Sequence, residues 1–289
     1  MKTLILAVGV MLVTAGTAHA ARPVSPPATS SSACGATVLK ADGTAWTCTF
    51  DDEFSGTSLD TTKWIPQTNF SSGTTAAHAC YTASPNNISE AGGSLNLTVR
   101  RESAPVACAN TSLGATSYYT AGSVMTYHLF SQQYGRFEAR IKTTATTAPG
   151  LQESFWLWPD DRYDTSGTYW PAAGEIDVAE TYSQYYSLAI PYLHYTSYDN
   201  GGPIPGTNTA WNCAASRGVY NTYTLTWSAT RIQIDVNGKT CLVNTSGDPA
   251  FQKRYLVALS ALLGTGSNAL TSATPLPATT SIDYVRVWK

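Results

Sequence analysis

Arg231-Ile-Gln-Ile-Asp-Val236 alternates apolar with polar residues, Asn237-Gly238 follows, and Lys239-Thr-Cys-Leu-Val243 resumes an extended pattern. A period of two places one apolar face on each run, and Asn-Gly is the dipeptide that suits a type I′ turn, so this stretch predicts a β-hairpin. Outward from it the same grammar recurs. Ser94-Leu-Asn-Leu-Thr-Val99, Gly135-Arg-Phe-Glu-Ala-Arg-Ile141 and Tyr223-Thr-Leu-Thr-Trp227 are short β-branched and aromatic runs separated by Gly, Asn, Ser and Pro turns. Past the amino terminus there is no strong helical periodicity and no repeat. The fold class is therefore all-β, and many strands within about 240 residues imply two stacked sheets rather than a small barrel.

The amino terminus reads differently. Lys2, an apolar run from Leu4 to about Gly16 and then Ala18-His19-Ala20 form a secretory leader ending at Ala20. The run is short of the roughly 20 residues that a membrane span needs. Residues 21–33 are rich in Pro and Ser and read as a tether, leaving 34–289 as the folded domain. Only 12% of the 289 residues are charged, Lys and Arg number 17 against 19 Asp and Glu, and the net charge is −2. No basic stripe could neutralise a phosphate backbone, so nucleic acid is excluded as a partner, and a secreted protein outside the membrane, acting as a monomer, is the expectation.

Six cysteines, Cys34, Cys48, Cys80, Cys108, Cys213 and Cys241, are an even number in an exported chain with no C-x-x-C spacing for zinc. Disulfides follow, out of 15 connectivities. Antiparallel sheets bring sequence neighbours together, which favours 34 with 48, 80 with 108 and 213 with 241.

The chemistry lies in Trp170-Pro-Ala-Ala-Gly-Glu175-Ile-Asp177-Val-Ala-Glu180. On a strand Glu175 and Asp177 share a face, whereas Glu180, five positions on, turns away unless an extra residue near Val178-Ala179 forms a β-bulge. On a helix the three would scatter. Two carboxyl groups on one face can serve glycoside hydrolysis, one ionised and one protonated, with Asp177 between them sharing a proton. At about 3.3 Å per residue, the Glu175 and Glu180 Cα atoms are well over 10 Å apart, so a sheet curved toward substrate is needed to bring the carboxyls together. A Ca²⁺ site or a solvated edge strand is the other reading of such a cluster.

The segment resembles the E-[ILV]-D-x-x-E motif of glycoside hydrolase family 16, in its laminarinase-like branch. Further stretches match in the family's order: Phe50-Asp-Asp-Glu-Phe-Ser-Gly-Thr-Ser-Leu-Asp-Thr-Thr-Lys-Trp64, Tyr134 to Lys142, Phe155-Trp-Leu-Trp-Pro159, Tyr223 to Trp227 and Ile282-Asp-Tyr-Val-Arg-Val-Trp288. The resemblance runs from about residue 47 to the end. It implies a β-jelly-roll sandwich whose concave sheet carries a cleft, acting with retention on internal β-1,3 or mixed-linkage glucan bonds without a catalytic cofactor.

Carried over by position, Glu175 is the nucleophile, Asp177 its helper and Glu180 the general acid/base, with His194 beside the acid/base on the next strand. By residue type alone His194 is equally a packed core residue. Trp156, Trp158 and Trp170 could stack on sugar rings or pack in the core, Trp170 being the preferred subsite. The resemblance also implies a structural Ca²⁺ on Glu53 and Asp283. Three positions depart from the family. Gly150-Leu-Gln152-Glu153-Ser154 stands where many members have Trp-Pro, Ala179 replaces a common Met at the bulge, and the usual Asn and Gly-Gly near Tyr255–Ser260 are missing. Rival functions are a transglycosylase with the same residues, a galactan hydrolase of the agarase or carrageenase kind, and a carbohydrate-binding sandwich without catalysis.

Overall fold

The hairpin lies where the alternation places it. Arg231–Val236 pairs with Lys239–Asn244, Val236 opposes Lys239, and the two turn residues Asn237 and Gly238 both have positive φ, 51° and 74°. Those angles define a type I′ turn, whose twist suits antiparallel strands and which Asn-Gly tolerates. The computed structural model describes residues 33–164, 166–195, 204 and 206–289. The leader at 1–20 and tether residues 21–32 lie outside the described residues.

Two stacked sheets account for most of the chain. One runs, in spatial order, Cys213–Ala214, Leu188–His194, Glu175–Tyr182, Leu151–Pro159, Tyr255–Leu263, Thr116–Met125 and Ile65–Pro66, all antiparallel. The other runs Ile88–Glu90, Leu95–Ala107, Ala278–Trp288, Gly135–Lys142, Tyr220–Ser228, Arg231–Val236 and Lys239–Asn244. Cys48–Asp52 pairs with the far end of Ala278–Trp288 in this second sheet. Leu95–Ala107 and Thr116–Met125 outrun both sheets and pair with each other in a small third one, where Ala77–Tyr81 lies parallel to Thr116–Met125.

The core is the seam between the large sheets. Leu97, Ile141, Tyr223 and Ile282 from one meet Phe155, Ala179 and Leu259 from the other around a void of about 10 Å³, too small to relieve close packing. Trp227 and Tyr255 cross the seam edge to face with centroids 5.3 Å apart, a geometry worth about 0.5–1.5 kcal/mol beyond buried area. One ion pair is buried there too. Arg217, 2% exposed, holds both carboxylate oxygens of Glu153 at 2.7 and 2.9 Å, and Thr181 donates to the same carboxylate at 2.6 Å.

The cysteines pair as neighbours: Cys34 with Cys48, Cys80 with Cys108, and Cys213 with Cys241. The first bridge ties the start of the described chain to the Cys48–Asp52 strand, and the third joins the edge strand Cys213–Ala214 of the first sheet to the Lys239–Asn244 strand of the second. On the chain-entropy model each closed loop is worth about 3–4 kcal/mol.

Candidate active site

Glu175–Tyr182 is a central strand, hydrogen-bonded to Leu151–Pro159 on one side and Leu188–His194 on the other. Its register breaks where the sequence demands it. Asp177 opposes Trp156 but Ala179 opposes Phe155, so Val178 is an extra residue in the ladder, and Glu180 comes to oppose Ser154. The bulge resets the alternation. Ile176, Val178, Ala179 and Thr181 are buried against the seam, while Glu175, Asp177 and Glu180 line one cavity of about 300 Å³ on the other face. Small Ala179 lets two successive residues, Val178 and Ala179, both turn inward.

The two glutamates have their own donors. Trp170 Nε1–H donates to Glu175 Oε2 at 2.7 Å, Gln152 Nε2–H to Glu180 Oε1 at 2.6 Å, and Tyr182 O–H to Glu180 Oε2 at 2.9 Å. His194 Nε2 stands 3.3 Å from Asp177 Oδ2. Burial is the largest influence on all three acids and pushes each above the usual carboxylate range; the Asp177 charge adds to this for Glu175, and the Glu180 charge adds to it for Asp177. Tyr182 and Gln152 pull Glu180 back down by bonding its charged form. Burial and the crowding of three acids in one cavity both work against their ionising together, so the site favours holding a proton among them. That is what acid–base chemistry on a strand face requires.

The residues singled out in the sequence fall in three places. Glu175, Asp177, Glu180, His194 and Trp156 line the central cavity, and Trp156 and Trp158 also line an adjoining one of about 390 Å³ with Glu175, Phe70, Met125 and Tyr127. Trp170 is 46% exposed, and its ring lies 5.1 Å from that of His194. None of the three tryptophans is a fully buried core residue. His194 opposes Glu175, not Glu180, which faces Ile190 further along the same strand; its ring touches Asp177 and stacks on Tyr192 at 4.2 Å.

Glu53 and Asp283 do not form a calcium cradle. Arg286 holds both oxygens of Glu53 at 2.7 and 2.8 Å, and Arg140 donates to Asp283 Oδ2 at 2.6 Å, so each carboxylate already faces a guanidinium that would repel a second cation. Tyr182 and Gln152 were not singled out as site residues. Tyr182 is two residues beyond Glu180 and hence on its face, a signal the period of two contains, whereas Gln152 depends on a register that only the folded sheet defines.

Residues 74–285 match the family model described as glycosyl hydrolases family 16. Glucan endo-1,3-beta-glucosidase A1 of Niallia circulans is 28% identical over 268 residues, covering 83% of this chain and 37% of that protein. Keratan-sulfate endo-1,4-beta-galactosidase of Sphingobacterium multivorum is 31% identical over 250 residues, covering 83% and 54%. The chain thus spans between about a third and a half of these curated relatives. Among solved structures, the endo-beta-1,3-glucanase of Pyrococcus furiosus superimposes with a TM-score of 0.72 at 22% identity, covering 88% of this chain and 97% of that one. That likeness establishes the fold as a jelly-roll sandwich.

Proposed function

Since the chain belongs to glycosyl hydrolases family 16, we propose that it is a secreted, retaining endo-β-glucanase that cuts internal β-1,3 or mixed β-1,3-1,4 linkages. The observation that carries this reading is the bulge at Val178, which sets Glu175, Asp177 and Glu180 on one cleft face. In the first step the Glu175 carboxylate attacks C1, the glycosidic C–O bond breaks, and the departing oxygen takes the Glu180 proton. In the second, water gives a proton to Glu180 and attacks C1, releasing Glu175 and restoring the β anomer. Trp170 steadies the Glu175 charge. Asp177, held toward its neutral form by burial, keeps a second negative charge away from Glu175 while the nucleophile is ionised.

A neutral glucan suits the cleft better than a sulfated galactan. No Lys or Arg is among the described residues lining the central cavity or its neighbours. A sulfated chain would meet three acids with no counter-charge. Retention of both glutamates weighs against a binding-only sandwich. Three disulfides are consistent with export.

Reducing-sugar release from laminarin, lichenan, xyloglucan, agarose and carrageenan, with the first-formed anomer followed by NMR, tests the proposal. Laminarin and lichenan should be cut with the β anomer appearing first. Release from agarose or carrageenan alone, or an initial α anomer, contradicts it.

A further inference from the structure

On the far side of Tyr182, whose O–H donates to Glu180, lies a third cavity of about 270 Å³ bordered by Tyr182, Tyr185, Tyr192 and Trp211. We propose that this cavity is a sugar subsite on the leaving-group side of the scissile bond, with Trp211 as its platform. The inference rests on the glycosidase reading above and adds to it a direction for the chain.

The aromatic residues form an unbroken series starting at the acid/base. Tyr182 donates its O–H to Glu180 and meets Tyr185 edge to face at 6.5 Å; Tyr185 meets Trp211 edge to face at 5.9 Å. Trp211 is 50% exposed, so about half of its indole is open to a sugar ring. Opposite the rings stands a polar wall, the turn Thr265–Asn268. Asn268, 2% exposed, donates to Leu151 O at 2.8 Å and accepts from Gln184 N at 3.2 Å, while Gln184 Nε2 donates to Ser267 Oγ at 3.2 Å. A pyranose has apolar C–H faces and a hydroxyl rim, so aromatic rings facing polar side chains match it on both counts. The platform is also anchored: Cys213, two residues from Trp211, is bridged to Cys241 and pairs with Ala189. Preorganisation of that kind lowers the entropy lost on binding.

The direction follows from which acid each cavity adjoins. The 390 Å³ cavity includes Glu175, the group that becomes bonded to the retained sugar, and lacks Glu180. The 270 Å³ cavity instead holds Tyr182, the residue bonded to Glu180, which hands its proton to the departing sugar. A sugar bound there is therefore the leaving group in the first step. In the second it can replace water: its hydroxyl gives a proton to Glu180, the C1–O bond to Glu175 breaks, and a new glycosidic bond forms.

The test compares Trp211→Ala and Trp211→Phe with the parent on laminarin and on 4-nitrophenyl β-laminaribioside, whose aryl group departs without a sugar beyond it. Trp211→Ala should lower kcat/KM on laminarin about tenfold, leave the aryl substrate within about twofold, and reduce transfer products at high oligosaccharide concentration. Trp211→Phe should recover most of the loss. Undiminished aryl activity shows that the fold is intact. Equal losses on both substrates, or no loss on either, overturn the subsite while leaving the glucanase reading in place. A parent enzyme inert on every polysaccharide overturns both, and one that cuts agarose alone overturns the glucan reading and moves the same comparison to agarose and its aryl glycoside.

Discussion

The side-chain amide of Gln152 donates to Glu180 across adjacent strands at 2.6 Å, and Glu180 is the one acid of the three that also receives a phenol, from Tyr182 at 2.9 Å. Both bonds favour the charged form and oppose the upward push of burial. Gln152 therefore tunes the acid/base downward. Gln152→Ala removes one of the two donors, so the pKa of Glu180 should rise and the basic limb of the kcat/KM profile, where Glu180 must still hold its proton, should move to higher pH. A basic limb that stays in place or moves down in a plot of kcat/KM against pH contradicts the assignment.

Trp170 acts on the other limb. Its N–H bond favours ionised Glu175, and the acidic limb reports loss of that charge. Trp170→Phe keeps a ring and loses the donor, so the acidic limb should move to higher pH, the half-exposed indole moderating the effect. If the limb does not move while KM rises, Trp170 serves only as a sugar platform.

The buried acids also bear on stability. Asp177 is raised by burial and then by Glu180, so folding favours its neutral form. The stability it contributes is complete below the pKa of the unfolded chain, about 4, and is lost as pH rises through its raised value. Asp177→Asn removes that loss. The variant should melt a few degrees above the parent near pH 7 and converge with it toward about pH 4, while its activity falls. Melting curves that show the parent more stable near pH 7 would refute the sign.

Much of this molecule is written locally. The Asn237-Gly238 hairpin, the bulge demanded by the spacing of Glu175, Asp177 and Glu180, and the neighbour pairing of cysteines each depend on residues close in sequence. What was illegible depends on register between distant strands. Glu153 breaks the apolar alternation of Leu151–Pro159 and faces the seam because Arg217, 64 residues away, meets it there. The Gln152 contact and the Tyr185–Trp211 pair are of the same kind. The calcium expectation for Glu53 and Asp283 gave way to Arg286 and Arg140, whose proximity no spacing announces.

Arg217 provides a stability test of that buried contact. Arg217→Ala leaves the Glu153 charge stranded beneath the catalytic strand and should cost about 3–5 kcal/mol in denaturant unfolding. Replacing both partners, Arg217→Met with Glu153→Leu, should restore most of it. A double variant no better than the single one would place the loss in packing rather than in the unpaired charge.

The central claim is the division of labour between Glu175 and Glu180, and azide rescue tests it most directly. In Glu180→Ala an aryl glycoside with an activated leaving group still glycosylates Glu175, and azide, which needs no general base, should restore turnover and yield the β-glycosyl azide. In Glu175→Ala no intermediate forms, and azide entering the vacated space should yield the α-glycosyl azide. Azides of the opposite anomers would mean that nucleophile and acid/base are exchanged, and full activity in either variant without azide would remove the double-displacement mechanism.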